Sequence, residues 1–323
     1  MAANGDVVHS REFTHAAHVP EDLRRRGRSG LPALAALLVL AFALSVPAAP
    51  AHAGVVDRAA PFRGTGAWVS LFTHEWSDPV AASQAYAAHG VRTLYLETGR
   101  SNSAGALAKP GETGAFLDAA HAAGLDVVAW YYPTFRRPDL DIARLLATAR
   151  YVSPSGGRFD GLGIDIEDST VKIITRRNTR LLSLMRRVRA AIPAMPIGAI
   201  TYPPVALDLN TKVWPTFPWV QVARLSDAIL PMAYWRYDTH APVGAAWYTA
   251  GNLVALRFLT GRPNLVVHIV GLVPASLAEV AAFAQQAGAN GAAGLSLYPA
   301  QSVASAAWPL LADAASTLPA ASP

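Results

Sequence analysis

From position 66 onward the chain alternates short apolar runs with helix-period or Ala-rich segments eight times, a rhythm that few folds accommodate. A strand followed by a helix, repeated, lays parallel strands side by side, because each helix carries the chain back to the starting edge. The strand candidates are Gly66 to Phe72, Arg92 to Thr98, Asp126 to Pro133, Gly161 to Glu167, Met195 to Tyr202, Ala228 to Trp235, Asn264 to Val270 and Gly294 to Tyr298. The helix candidates are Pro79 to His89, Gly114 to Ala123, Leu140 to Ala149, Thr170 to Ile192, Val220 to Leu225, Gly244 to Thr260, Leu277 to Ala287 and Ser302 to Ala315. Eight such units over the roughly 270 residues from Gly54 to Pro323 match the size of one closed barrel. The expected fold is therefore α/β, a single (β/α)₈ TIM barrel over 54–323. A dinucleotide-binding sheet is disfavoured, since Gly64-Thr65-Gly66 precedes the first strand and Gly156-Gly157 lacks the Lys-Ser or Lys-Thr of a phosphate loop.

Residues 1–53 read as an N-terminal extension with a secretory signal peptide. The basic run Arg24-Arg25-Arg26-Gly27-Arg28 precedes an apolar stretch from Leu31 to Val46, and Ala51-His52-Ala53 supplies a small-x-small cleavage site. Cleavage would leave a secreted or cell-envelope protein with no stable membrane insertion; an uncleaved anchor is the alternative, because the apolar run is almost long enough to span a bilayer. Loss of the leader lowers the formal charge only from +5 to +4. The arginines are spread over predicted helices (Arg176-Arg177, Arg180, Arg186-Arg187, Arg189) as on a solvated face, so no nucleic-acid partner is expected and a monomer is. Cysteine is absent, which excludes thiolate catalysis and Cys-type zinc sites. Five histidines follow the leader without an i, i+4 pair, so neither a metal nor another cofactor is expected.

Chemistry concentrates in Phe159-Asp160-Gly161-Leu162-Gly163-Ile164-Asp165-Ile166-Glu167. Side chains two apart on a strand share a face, so Asp165 and Glu167 reach one place at the carboxyl end where barrel enzymes keep their active sites. Paired acids there suit acid-assisted glycoside cleavage. The competing reading is a helix cap, with Glu167 and Asp168 facing the dipole of the next helix. Asp160, at the start of the strand, fits a turn or the barrel bottom. Other polar and aromatic groups are expected at strand carboxyl ends, giving Trp76, Glu97, Tyr132, Tyr202, Met232, Trp235, His268 and Tyr298 as candidate substrate-binding residues.

The Phe-Asp-Gly introduction and the Asp-x-Glu ending resemble chitinases and related hydrolases of glycoside hydrolase family eighteen, whose fourth strand carries Asp-x-x-Asp-x-Asp-x-Glu. Phe159, Asp160, Gly161, Asp165 and Glu167 match, and Gly163 stands where that family has an Asp. The family's Met-x-Tyr-Asp on strand six is matched by Met232 and Tyr234, with Trp235 in place of the Asp. The resemblance implies hydrolysis of an N-acetylhexosamine polymer of the chitin or peptidoglycan type. In that scheme Glu167 is the general acid and base, Asp165 stabilises the intermediate, and Tyr234 holds the acetamido group. The departure at Gly163 leaves two alternatives: a retaining glycosidase using a second carboxylate such as Glu97, about 5 to 5.5 Å from Glu167, or a catalytically silent glycan-binding barrel.

Overall fold

Each expected strand segment contributes to one parallel sheet. The computed structural model describes residues 57–209, 213–236 and 244–319; the leader, 1–53, lies outside them. The strands are β1 (Gly64–Val69), β2 (Thr93–Arg100), β3 (Asp126–Tyr132), β4 (Gly161–Ile166), β5 (Ile197–Thr201), β6 (Ala228–Pro231), β7 (His268–Leu272) and β8 (Gly294–Tyr298). They pair in the order β6-β5-β4-β3-β2-β1-β8-β7. Parallel bridges from Ile229 to Val267 and from Met232 to Val270 bring the two ends together, so the sheet is a nearly closed TIM barrel.

Around it run α1 (Pro79–Ala88), α2 (Pro110–Ala122), α3 (Pro138–Ala149), α4 (Ile174–Ala191), α5 (Pro204–Leu209), α6 (Trp219–Leu225), α7 (Gly244–Thr260), α8 (Leu277–Ala289) and α9 (Trp308–Ser316). The first three begin on proline, whose missing N–H costs nothing in a first turn. That is why α2 and α3 start earlier than the apolar periodicity indicated. The short α5 was not anticipated, and α9 begins six residues late because two 3₁₀ turns, Ala300–Ser302 and Ser305–Ala307, precede it. Among the described residues no helix is long and apolar enough to cross a membrane.

Strand alternation separates two apolar layers. Leu94, Leu96, Val127, Leu162, Ile164 and Ile166 join the core shared with helix residues such as Phe116, Leu145 and Leu184. The opposite faces fill the barrel with Phe62, Trp68, Tyr95, Val128, Trp130, Ile200, Leu230, Met232 and Val270. Rings this large fit because glycines face them: a Cβ on Gly66 would lie 2.6 Å from the Tyr95 ring, and one on Gly198 2.7 Å from Phe62. Trp68 stacks on Tyr95 with centroids 4.2 Å apart and meets Trp130 edge-on at 5.9 Å. Each such ring pair contributes about 0.5–1.5 kcal/mol beyond its buried area.

β7 begins at His268, four residues later than expected, and this moves His268 from a strand's carboxyl end to its amino end. The ring is fully buried. Its Nδ1 lies 3.0 Å from the Phe62 carbonyl, which only accepts, so Nδ1 carries the hydrogen. Nε2 then accepts from Ser296 Oγ at 2.8 Å, and that oxygen accepts from Trp68 Nε1 at 2.7 Å. Burial lowers the imidazole pKa to about 4, so His268 is a neutral link in the barrel floor. Asp160 also lies at the amino end, where Oδ2 accepts from Val127 N at 2.7 Å and faces His121 at 2.9 Å.

Candidate active site

β4 carries Gly161, Gly163 and Asp165 on its inward face, and Glu167 continues that alternation past the strand end. The two acids enter a cleft of about 280 Å³ at the carboxyl ends of the strands, lined also by Trp68, Arg100, Trp130, Tyr132, Tyr234 and Tyr298. Ile200, Met232 and Val270 form its apolar floor. Helix capping does not account for the acids: α4 starts at Ile174, and its N-cap, Ile173, makes no side-chain cap. Asp168 instead closes a local turn, Oδ1 accepting from Thr170 N at 2.8 Å, while Oδ2 accepts from the Tyr132 hydroxyl at 3.2 Å.

Burial pushes the Asp165 carboxyl well above the usual carboxylate range, and the charges of Glu167 and Glu97 push the same way against Arg100. Glu167 is raised chiefly by burial, opposed by Arg100 and reinforced by Asp168 and Glu97. Two carboxyls held toward their protonated forms in one cleft suit proton transfer near neutrality. Asp165 Oδ1 and Trp130 Nε1 are buried with no hydrogen-bond partner among the described residues, which leaves one acceptor and one donor unmet at the site. Tyr202 donates its hydroxyl to the Glu167 carbonyl at 2.8 Å and so fixes the backbone that carries the acid. Its phenol is pushed up to about 12, by burial first and by the charges of Glu167 and Asp165 after it.

Of the sequence candidates, Tyr132, Met232, Tyr234 and Tyr298 line the cleft with the acid pair, and Tyr234 stacks on Tyr298 at 6.3 Å. Five others do not line it, and one of these, Tyr202, holds the Glu167 backbone as described above. Trp76 turns back so that Nε1 donates to Ser70 O at 2.7 Å and its ring meets Phe116. Trp235 lies outside because β6 ends at Pro231; its ring packs on Phe283 and Nε1 donates to Glu279 at 3.2 Å. His268 is in the floor described above. Glu97 is fully buried beneath the cleft, with Oε2 accepting from Leu71 N at 3.0 Å and Oε1 from Arg100 Nε.

With both oxygens engaged, Glu97 is a positioning anion for Arg100, and the geometry does not favour it as a nucleophile. Replacing Glu97 with glutamine puts an amide donor against the Arg100 N–H or leaves Leu71 N–H unmet. The expected loss is about 2–3 kcal/mol of unfolding free energy in urea titrations, the scale of a hydrogen bond to a charged group. Unchanged stability would remove this role.

Arg100, Trp68 and Trp130 line the cleft without having been singled out as site residues. Arg100 lies beyond the expected end of strand two; a register shift between Glu97 and Gly99 carries the strand on and re-aims the side chain. Trp68 was legible as the inward residue between Gly66 and Ser70. Among the described residues no group of three or more His, Asp or Glu side chains is arranged to hold a metal ion.

No family model and no curated protein matches the chain, but solved structures do. Active domain 2 of a chitinase from Pyrococcus furiosus superposes with a TM-score of 0.58 at 11% identity, covering 80% of this chain and 97% of that one. The Bacillus cereus spore cortex-lytic enzyme SleL gives 0.57 at 12% identity, covering 80% and 74%. This chain has the TIM-barrel fold that they share. The catalytic domain of a β-amylase from Paenibacillus polymyxa superposes nearly as well, at 0.56 with 7% identity over 79% and 99% of the two chains. The likeness is thus one of fold; what this barrel does must be argued from its cleft.

Proposed function

We propose that the chain is an exported glycoside hydrolase that cleaves an N-acetylhexosamine-containing polysaccharide of the chitin or peptidoglycan type, its leader being 1–53 and its barrel 54–323. The observation that carries this reading is the Asp165–Glu167 pair, both carboxyls pushed toward protonation, in a cleft walled by aromatic rings. Glu167 protonates the glycosidic oxygen as the bond to the anomeric carbon breaks. The sugar's own acetamido oxygen attacks that carbon from the opposite side and forms an oxazolinium ion. The Asp165 carboxylate accepts a hydrogen bond from the acetamido N–H and offsets the positive charge, while Tyr234 and Trp130 Nε1 supply donors to the same group. The ionised Glu167 then removes a proton from water as the water oxygen opens the oxazolinium ring, which restores the acid.

Substrate assistance makes a sharp demand on the polymer. Mass spectrometry of products from chitin oligosaccharides, peptidoglycan and their N-deacetylated forms is expected to give cleavage of the acetylated chains only. The deacetylated chains should react at least about 10³-fold more slowly, because the intramolecular nucleophile is gone. Equal rates would transfer the nucleophile's role to the protein and overturn the scheme.

A further inference from the structure

A second depression, of about 320 Å³, is lined by Arg136, Lys172, Arg176 and Arg180 together with Thr170, Val171 and Ile173. Four cations line it, and no acid does. Several arginines elsewhere are paired with acids: Arg58 and Arg189 with Asp227, Arg63 with Asp57, Arg92 with Asp126, Arg187 with Asp139 and Arg236 with Glu279. None of the four groove cations makes an ion pair among the described residues. Arg180 is fixed by donating to Phe135 O at 3.0 Å, and Arg136, Lys172 and Arg176 are exposed. Charges of one sign held together repel unless an anion joins them.

The walls of the groove and the cleft are linked by hydrogen bonds. Thr170, in the groove wall, is hydrogen-bonded to Asp168, which holds the Tyr132 hydroxyl of the cleft wall. Lys172 follows Glu167 by five residues, a chain that spans at most about 18 Å when extended. Within the cleft, Arg100 is tethered through Nε to Glu97, and its terminal amino groups have no protein acceptor among the described residues. Phe72 and Tyr132 flank its guanidinium, with ring centroids 4.9 Å and 5.8 Å away. A polymer seated at Glu167 would meet the held Arg100 guanidinium in the cleft and have the four-cation groove a short chain segment away.

We infer that the groove is a subsite for carboxylates of an acidic glycan, so that the polymer cleaved at Glu167 carries a carboxylate on sugars next to its N-acetylhexosamine. The inference rests on the hydrolase reading for its biological setting, but its test does not need turnover. Two sources supply this chemistry: the lactyl ether of a muramic acid and the C6 carboxylate of a uronic acid.

Titration calorimetry of the full chain carrying Glu167→Gln would use alternating hexasaccharides of N-acetylglucosamine with N-acetylmuramic acid or with glucuronic acid. Their carboxyl-reduced forms and a single-stranded oligonucleotide of equal charge complete the set. At about 50 mM salt one acidic hexasaccharide is expected to bind about tenfold or more tightly than its reduced form, the gap closing toward about 500 mM as screening grows. Which of the two shows the preference names the source. Lys172→Gln with Arg176→Gln, both at exposed positions, should collapse the ratio to near one. Equal affinity for acidic and reduced chains, a ratio unmoved by the groove substitutions, or tighter binding of the oligonucleotide would each overturn the inference. The hydrolase reading fails separately, if the unsubstituted protein cleaves none of these glycans or those named above.

Discussion

Replacing Glu167 with glutamine is expected to lower kcat for glycan cleavage by roughly 10²–10⁴-fold, the span that a positioned general acid–base group supplies, with KM altered far less. Glutamine keeps the shape and a hydrogen bond but has no proton to give the leaving oxygen. The pH profile adds a signature that misfolding would not produce. Burial raises both carboxyls and each charge opposes the other, so the pair keeps one proton, the one Glu167 gives to the leaving oxygen, above the pH at which an isolated carboxyl loses its own. The dyad titrates as a unit, and its acid form persists above the pH at which an ordinary glutamate ionises. The native enzyme should therefore work best on the acid side of neutrality, with an alkaline limb displaced upward that vanishes in the variant.

Stability should move the other way. A carboxyl whose folded pKa is raised favours the native state while protonated in both states, and that advantage is lost as pH climbs from the ordinary carboxylate value through the raised one. Glu167→Gln should thus melt with the native protein near pH 4 and above it near pH 7. Retained cleavage in the variant, or a kcat profile with the same alkaline limb, would remove Glu167 from the reaction.

Much of this arrangement is legible in the sequence, and the gaps have particular causes. The eight strand segments and the pairing of Asp165 with Glu167 follow from period-two alternation, which survives an error of a residue or two at strand ends. Tyr132, Tyr234 and Tyr298 were found because strand carboxyl ends point at the cleft. The same rule failed where a strand end was misplaced: β6 stops at Pro231, which turns Trp235 outward, and β7 starts at His268, which drops the imidazole to the floor. Arg100 was passed over because a bulge is invisible in a periodic pattern, and only the register shift after Glu97 brings the guanidinium inward. Glu97 is legible as an acid near a strand's carboxyl end and so as a candidate second carboxylate; that its two oxygens are committed to Leu71 and Arg100 is not readable from spacing.

The residue that breaks the resemblance carries the largest stability prediction. Restoring the family's acid with Gly163→Asp is expected to cost more than about 3 kcal/mol, summing overpacking with burial of an unpaired carboxyl, and to leave cleavage no faster. A Cβ at position 163 would stand 2.9 Å from Trp130 Cβ and 3.1 Å from Ile200 Cδ1, so the space that an aspartate needs is already closed by two cleft-lining side chains. The added carboxyl would also face Asp165 and Glu167, which already resist ionising together. Thermal melts should order the proteins native, Gly163→Ala, Gly163→Asp, and Ile200→Ala should recover part of the loss in the aspartate variant by vacating one of the two contacts. Trp130 Cβ sits beside the backbone and cannot retreat, so recovery stays partial. A Gly163→Asp protein that melts with the native one and turns over faster would mean the barrel has kept room for the missing acid. In that case Gly163 would be a recent loss in a conventional site, not part of an interior rebuilt around Trp130 and Ile200.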